Sequence, residues 1–351
     1  MIGLHLWASM QPGRVHPELL SVKRAHAIFQ AEVTTGQSSL YKNLGCTHRV
    51  CKLVSPQAMW NNTVATVRYG HNSPKGYCRK RADTRVPMSI EFANPPINEV
   101  VVSTYFSPQL SDFRSEHVGL FWDKIRKDFP VARQQPPIAS SVSVGLEVNA
   151  EEPFPMPRYW FVADDDISLI QIQKNAFMFN WRRRDDAYPR FHENIKPSFD
   201  KNYGIFSEFV RTEIQDEEPA IDLCELTYIN AVERCEFWDG PEDTKNIFPS
   251  FPLFSLGIEV IGFSEFNCNY SYRIEADMQL NIGIRNGIMA RQADAPVLIF
   301  EIRASARLGQ AKKSEADEWF ERAHDSIVQS FVGMTHRDIQ DKYWRRVEEM
   351  P

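Results

Sequence analysis

Five residues near the start of the sequence have the chemistry of metal ligands. They are Cys46, His48, Cys51, His71 and Cys78. Three or four thiolate and imidazole ligands can close a tetrahedral zinc site. Structural zinc sites usually draw their cysteines from close pairs, however, and here Cys78 stands alone. The spacing therefore favours a chance occurrence, and we expect neither a metal site nor another cofactor.

Two charged clusters lie in the middle of the chain. Asp164–Asp166 could hold Mg²⁺, but consecutive acids at a turn point to different sides, which favours a solvated turn. Arg182–Arg184, together with Arg190, could clamp a phosphate group. Asp185 and Asp186 follow directly and would neutralise part of this charge. A solvated strand end is therefore the favoured interpretation.

Several classes of protein are excluded by the sequence. It contains none of the common nucleotide-binding, serine-hydrolase or zinc-protease motifs. It also has no apolar run of about 18 residues that could span a bilayer, and its first residues lack a secretory signal. We therefore expect a cytoplasmic protein without a membrane partner and with reduced cysteines.

The charge changes sign along the chain. Residues 1–87 hold 12 Lys+Arg and 3 Asp+Glu, whereas residues 88–351 hold 28 Lys+Arg and 43 Asp+Glu. The formal net charge of −6 is therefore the sum of +9 on the first segment and −15 on the second. The first segment shows little periodicity and cannot bury a core. It is either disordered or an upstream extension, and the clean pattern after Met88 favours a true start at or near Met88. Nucleic-acid binding would depend on this basic segment.

After Met88 the apolar pattern predicts alternating strands and helices. Strands are expected at Asn98–Phe106, in a meander over 158–183, and at 221–233, 266–273 and 297–306. A further strand is expected from Met278 through Ile284 into a hairpin turn at Asn286-Gly287. Helices are expected from Ser111 to Phe129, from Arg190 to Thr212 with an interruption at Pro197, and from Ser314 to Gly333. A short last helix would be capped by Thr335.

These elements predict an α+β fold. We expect two related lobes of mostly antiparallel sheet with helices packed on one side, one over residues 88–236 and one over residues 250–351. Ser314 with Asp317 has the form of a capping box, and Glu318 with Arg322 forms an i,i+4 surface pair on the same helix.

Four stretches of the sequence carry a family resemblance. NPPINEVVVSTYFSP, the meander before Tyr188-Pro189, LTYINAV and AHDSIVQSFVGMT resemble the pattern of a sporadically distributed bacterial family of uncharacterised proteins. The resemblance covers residues 88–351. It implies a role in toxin-antitoxin or phage-defence loci and no catalytic residues. The matching positions are Pro95, Pro96, Tyr228, Asn230, His324, Phe331 and Thr335.

The chemistry of these positions leaves alternatives open. Pro95 and Pro96 can fix the start of the first strand. Tyr228 and Asn230 lie two apart on a strand, so they share a face and could bind a ligand or, as the favoured interpretation, tie a neighbouring loop. His324 lies on the edge of an apolar helical stripe, where it could be a general base or, as favoured, a hydrogen-bonding residue at the edge of the core.

Two hypotheses about function follow. The favoured one is a non-enzymatic binding or regulatory protein whose two lobes present a groove to a partner protein. The formal net charge of −15 on residues 88–351 would suit a basic partner. The alternative is an enzyme with a pocket between the lobes, using His324 with Tyr228 or Asn230 on a small or phosphorylated substrate. A pocket lined by both His324 and Asn230 would favour the enzyme.

Overall fold

The computed structural model describes residues 90–138, 156–184, 187–252, 256–258, 264–289 and 295–348. All of them belong to one of the two units into which the chain divides, Ala82–Pro351. The basic segment and the five candidate metal ligands lie outside the described residues. Within them, no helix is long and apolar enough to cross a membrane.

The first half of the described chain contains six strands and two helices. In chain order they are β1 (Ile90–Phe92), β2 (Ile97–Phe106), α1 (Ser115–Ile125), β3 (Val131–Gln135), β4 (Arg158–Val162), β5 (Ser168–Gln173), β6 (Ala176–Arg182) and α2 (Lys196–Glu213). A π-helical turn, Phe191–Ile195, leads into α2.

The second half repeats this order with fewer strands. It contains β7 (Ile221–Glu233), the short α3 (Thr244–Ile247), β8 (Asn267–Arg273), β9 (Gln279–Met289), β10 (Ala295–Ala311), α4 (Lys313–Met334), α5 (Arg337–Lys342) and β11 (Arg346–Glu348). In both halves a strand and a helix precede a run of consecutive antiparallel strands, which ends in a long helix.

Nine of the strands form one antiparallel sheet in the order β3-β4-β5-β6-β2-β7-β10-β9-β8, and β1 pairs with β11. Within the nine-stranded sheet, the first strand of each half pairs with the last strand of the same half, β2 with β6 and β7 with β10. β2 and β7 then pair with each other. The two predicted lobes therefore share one continuous sheet, in which β7 lies between β2 and β10.

The long helices cover one face of this sheet, as predicted. Strand alternation puts one set of aromatic side chains on that face, where Phe177 contacts Phe206 of α2 and Phe161 contacts Phe121 of α1. In the second half, Phe300 contacts Phe331 of α4 in the same way. The α+β prediction of an antiparallel sheet with helices on one side is confirmed.

The opposite face of the sheet carries the alternate side chains of each strand and is here called the polar face. Its residues come from every strand of the sheet and are mostly amides, hydroxyls and arginines. Representative members, in sheet order, are Arg133, Arg158, Trp160, Gln171, Gln173, Asn180, Ser103, Tyr105, Glu225, Thr227, Arg303, Ser305, Asn281, Asn269 and Ser271.

The predicted hairpin at Asn286-Gly287 is wrong. β9 continues to Met289, with Asn286 opposite Leu298. The Asn286 side chain accepts a bond from the Phe266 backbone N–H at 2.8 Å and donates to the Ser264 carbonyl at 3.0 Å. Because its side chain bonds to backbone groups of the segment before β8, this asparagine is stable inside the sheet. The local turn signal is therefore overridden by tertiary hydrogen bonds.

Two helix boundaries also differ from the prediction. Ser111 is not the N-cap of α1, which begins at Ser115. The interruption expected at Pro197 is a change of helix type, because the π-helical turn Phe191–Ile195 gives way to α2 at Lys196, next to this proline. The capping carboxylate of α4 is Glu315, whose Oε2 accepts from the Lys312 backbone N–H at 2.8 Å, and Asp317 bonds elsewhere.

Candidate functional site

Four of the seven residues that carry the resemblance meet at one small cavity. Pro95, Tyr228, Asn230 and Phe331 line it, although they come from three separate parts of the chain. The cavity has a volume of about 40 Å³. One water needs about 10–15 Å³ on this measure, so the space fits a few waters or one small branched group.

The remaining walls of the cavity are apolar. They are formed by Phe92, Ile97, Ile302, Ile327 and Val328. Ile97 and Ile302 come from β2 and β10, and Ile327 and Val328 from α4. Of all the lining residues only Phe92 and Val328 are partly exposed, so the cavity lies nearest the surface between them.

The two motif prolines join the start of β2 to its neighbours. The Pro96 carbonyl accepts from the Ala231 backbone N–H at 2.9 Å, directly after Asn230 on β7. The Pro95 carbonyl accepts from Nη2 of Arg183 at 2.8 Å. Proline lacks a backbone donor but keeps its acceptor, and both acceptors are used here. Arg183 therefore holds the cavity wall.

Tyr228 connects the cavity to His324 through a chain of side-chain hydrogen bonds. Its hydroxyl lies 2.9 Å from Nδ1 of His324 and 3.1 Å from the hydroxyl of Tyr188. The His324 ring stacks on Phe191 with a centroid distance of 4.5 Å, and the ring of His192 approaches it edge-on at 4.7 Å. His324 itself does not line the cavity.

The electrostatics of this chain keep its members neutral. Burial, with a smaller contribution from His192, lowers the pKa of His324 to about 3. Burial also raises the pKa of Tyr228 well above its ordinary value. A histidine with so low a pKa binds a proton weakly, which makes it a poor general base near neutral pH.

Asn230 has one satisfied and one unsatisfied side-chain group. Its Nδ2 donates to the Phe300 carbonyl at 3.2 Å, as expected for a residue that ties a neighbouring strand. Its Oδ1 is buried and has no hydrogen-bond partner among the described residues. A buried acceptor without a partner costs about 1–3 kcal/mol of stability.

Thr335 does not cap the last helix, contrary to the prediction. The N-cap of α5 is His336, whose Nδ1 accepts from the Asp338 backbone N–H at 3.2 Å. Thr335 instead ends α4, where its Oγ1 donates to the Phe331 carbonyl at 2.7 Å. Gln340 completes this junction by donating to the Thr335 Oγ1 at 3.0 Å.

The acidic and basic clusters serve structural pairs. Asp165 closes its turn by accepting from the Ile167 backbone N–H at 2.9 Å, and Asp166 pairs with both Arg182 and Arg184. The predicted solvated strand end is therefore an ion-pair cluster, because the neutralising carboxylate comes from the neighbouring hairpin turn.

The predicted Glu318–Arg322 pair is replaced by contacts between α4 and the β8–β9 connection. Arg322 pairs with Glu275 and, at 2.8 Å, with Asp277. Within the part of the chain that the structure describes, no three His, Cys, Asp or Glu side chains are placed to hold a metal ion. The candidates Cys46, His48, Cys51, His71 and Cys78 lie outside it.

Sequence reasoning missed the polar face and a buried charge cluster. On the polar face, Gln171, Asn180 and Ser305 are buried although they are polar. Alternation of amides with apolar residues along β5 and β6 was the signal that could have found this face. The second feature, the bond from the buried Lys196 of α2 to Asp317 of α4 at 2.5 Å, had no sequence signal because the partners are far apart in the chain.

Comparisons with known proteins add no assignment. The chain matches no protein-family model, no curated protein and no solved structure. The family resemblance described above therefore stays an expectation.

Proposed function

We propose that this protein is a non-enzymatic binding protein, and that the cavity receives an apolar side chain of a partner protein. The observation that carries the proposal is the chemistry of the cavity walls. Four residues of the resemblance motif converge there, yet the walls are built almost entirely from carbon, with Tyr228 and Asn230 as the only polar residues. An apolar pocket of this size suits a side chain such as valine or leucine.

The candidate catalytic groups support binding over catalysis. His324 is separated from the cavity by Tyr228, whose hydroxyl is already engaged with two partners. A general base must come within hydrogen-bond reach of a substrate proton. His324 lacks both that access and a suitable pKa, so the enzyme alternative has no group to begin the reaction at this site.

The nature of the partner follows from two further considerations. The chain from Met88 onward carries a formal net charge of −15, which favours association with a basic partner. The resemblance implies a partner encoded near this gene, in a toxin-antitoxin or phage-defence locus. The proposed complex is therefore one in which charge attracts the partner and the cavity anchors one of its apolar side chains.

The test is co-purification of the tagged chain, expressed together with its neighbouring genes, followed by identification of retained proteins. Val328→Trp adds bulk beside the cavity, and Gln329→Trp, on the exposed side of the same helix, is the matched control. We expect recovery of a specific partner to fall about tenfold with Val328→Trp alone.

Thermal denaturation of both variants separates loss of binding from loss of folding. Equal recovery of the partner by Val328→Trp and by the control would reject the cavity as the binding site. Turnover of a small substrate that is abolished by His324→Gln would establish the enzyme alternative in its place.

A further inference from the structure

Two arginines on the polar face differ from their neighbours in having no carboxylate partner. Arg182 pairs with Asp166 and Arg303 with Glu301. Arg158 has no ion pair with any described residue, and neither has Arg133 on the edge strand β3. Arg158 therefore has no carboxylate in contact among the described residues, and Arg133 has only the longer-range attraction of Asp166, the carboxylate that pairs with Arg182.

The side chain of Arg158 is held in place by neutral groups. Its Nη1 donates to Oε1 of Gln171 at 2.6 Å, and its guanidinium lies 5.4 Å from the ring centroid of Trp160. Trp160 also donates its indole N–H to the same Gln171 oxygen at 2.9 Å. The Nε of Arg158 is buried without a hydrogen-bond partner in the described chain. These contacts orient the guanidinium and leave donors unused.

A line of amides fixes the direction in which Gln171 points. Its Nε2 donates to Oδ1 of Asn180 at 2.6 Å, and Nδ2 of Asn180 donates to Oε1 of Glu99 at 2.6 Å. Because Glu99 can only accept when ionised, each amide in the line has one possible orientation. The oxygen of Gln171 must then face Arg158 and Trp160.

The register of β3 and β4 brings the second arginine to the same place. Arg133 lies directly opposite Trp160, so it is a diagonal neighbour of Arg158 on the same face. Diagonal neighbours in antiparallel strands are about 7–8 Å apart, and two arginine side chains at that distance can reach one common group.

Partial burial makes this arrangement costly for the protein alone. Burial lowers the pKa of Arg158, which means that its charge is less stable here than in water. Charges removed from water are normally paired with an opposite charge. The arginine fork matches the oxygens of phosphate and carboxylate groups, which makes an oxyanion the natural counter-charge.

We propose that Arg133 and Arg158, supported by Trp160 and Gln171, form a binding site for the phosphate or carboxylate group of a ligand. This oxyanion site is on the polar face, away from the cavity, and it does not depend on the function proposed above. The ligand group would accept hydrogen bonds from both guanidinium groups and neutralise their charge.

The experiment is calorimetric titration of the full chain at low salt with inorganic phosphate, acetate and adenosine monophosphate. The variants are Arg158→Gln and Arg133→Gln, and the matched control is Arg126→Gln, an exposed arginine of the C-cap of α1 that pairs with Asp123. We expect binding at millimolar or lower concentration, and we expect each site variant to weaken it about tenfold or more while the control does not.

The three probes distinguish the sources of the oxyanion. Equal binding of phosphate and the nucleotide would assign the site to the phosphate group alone. Tighter binding of the nucleotide would indicate an additional contact with Trp160. Binding of acetate would assign the site to carboxylates. Absence of binding by all three would overturn the proposal, as would binding that survives both site variants. Arg133 lies on an exposed edge strand, so its variant remains informative if Arg158→Gln does not fold.

Discussion

Replacement of His324 by glutamine should change the pH dependence of stability. In the unfolded chain a histidine titrates with a pKa near 6.5, whereas in the native protein burial, with a smaller contribution from His192, lowers the pKa of His324 to about 3. Because the folded pKa is the lower one, the contribution of His324 to stability is complete above pH 6.5 and is lost as the pH falls towards 3.

The size of the effect follows from proton linkage. At pH 5 the unfolded chain carries a proton on His324 that the native state excludes, and this costs about 2 kcal/mol of unfolding free energy relative to pH 7. Glutamine does not titrate, but its amide oxygen can still accept a bond from the Tyr228 hydroxyl. The variant should therefore lack this component of the acid sensitivity.

The assay is urea unfolding of the wild type and His324→Gln at several pH values between 7 and 5. Carboxylates that titrate in this range contribute equally to both proteins, so the difference between the two curves isolates the histidine. An acid-induced loss of stability that is as large in His324→Gln as in the wild type would refute the reasoning.

Three further substitutions test contacts described above by the same unfolding assay. Tyr228→Phe removes the hydroxyl that bridges the partly buried side chains of Tyr188 and His324, and we expect a loss of about 2–4 kcal/mol. Thr335→Val removes a hydroxyl bonded to α4 and to Gln340, at an expected cost of about 1–2 kcal/mol; an unchanged midpoint would contradict that role. Lys196→Met removes one of the two lysines that bridge Asp200 and Asp317, the other being Lys313. One negative charge is then in excess, so the loss of about 1–3 kcal/mol should shrink as the pH falls and a carboxylate protonates.

The sequence predicted those parts of the fold that depend on local pattern. Strand β7 was placed at its observed bounds, because its β-branched and aromatic residues are bounded by turn residues. α4 was found from its apolar stripe. The predicted hairpin at Asn286-Gly287 failed because the Asn286 side chain bonds to the segment before β8, about 20 residues away in the chain and outside the window that a local rule considers.

The candidate site was predictable only in part. Tyr228 and Asn230 were expected to share a face, and both line the cavity. Their connection to His324 could not be foreseen, since it joins positions on β7 and α4 that only the packed structure brings within 2.9 Å. The pairing of Lys196 with Asp317 escaped for the same reason. Long-range contacts of this kind depend on the arrangement of elements rather than on their local sequences.

The way the two halves close on themselves has a consequence for the folding rate. Pairing of β5 with β6, or of β9 with β10, closes short loops, whereas the β2–β7 pair joins Ile97 to Asn230 across most of the first half. Closing the longer loop has the larger entropic cost, so we expect this pair to form late and the chain to fold slowly. The cavity lies at that pair of strands. It therefore exists only once both halves have joined, and a folding intermediate would have no anchor for a partner.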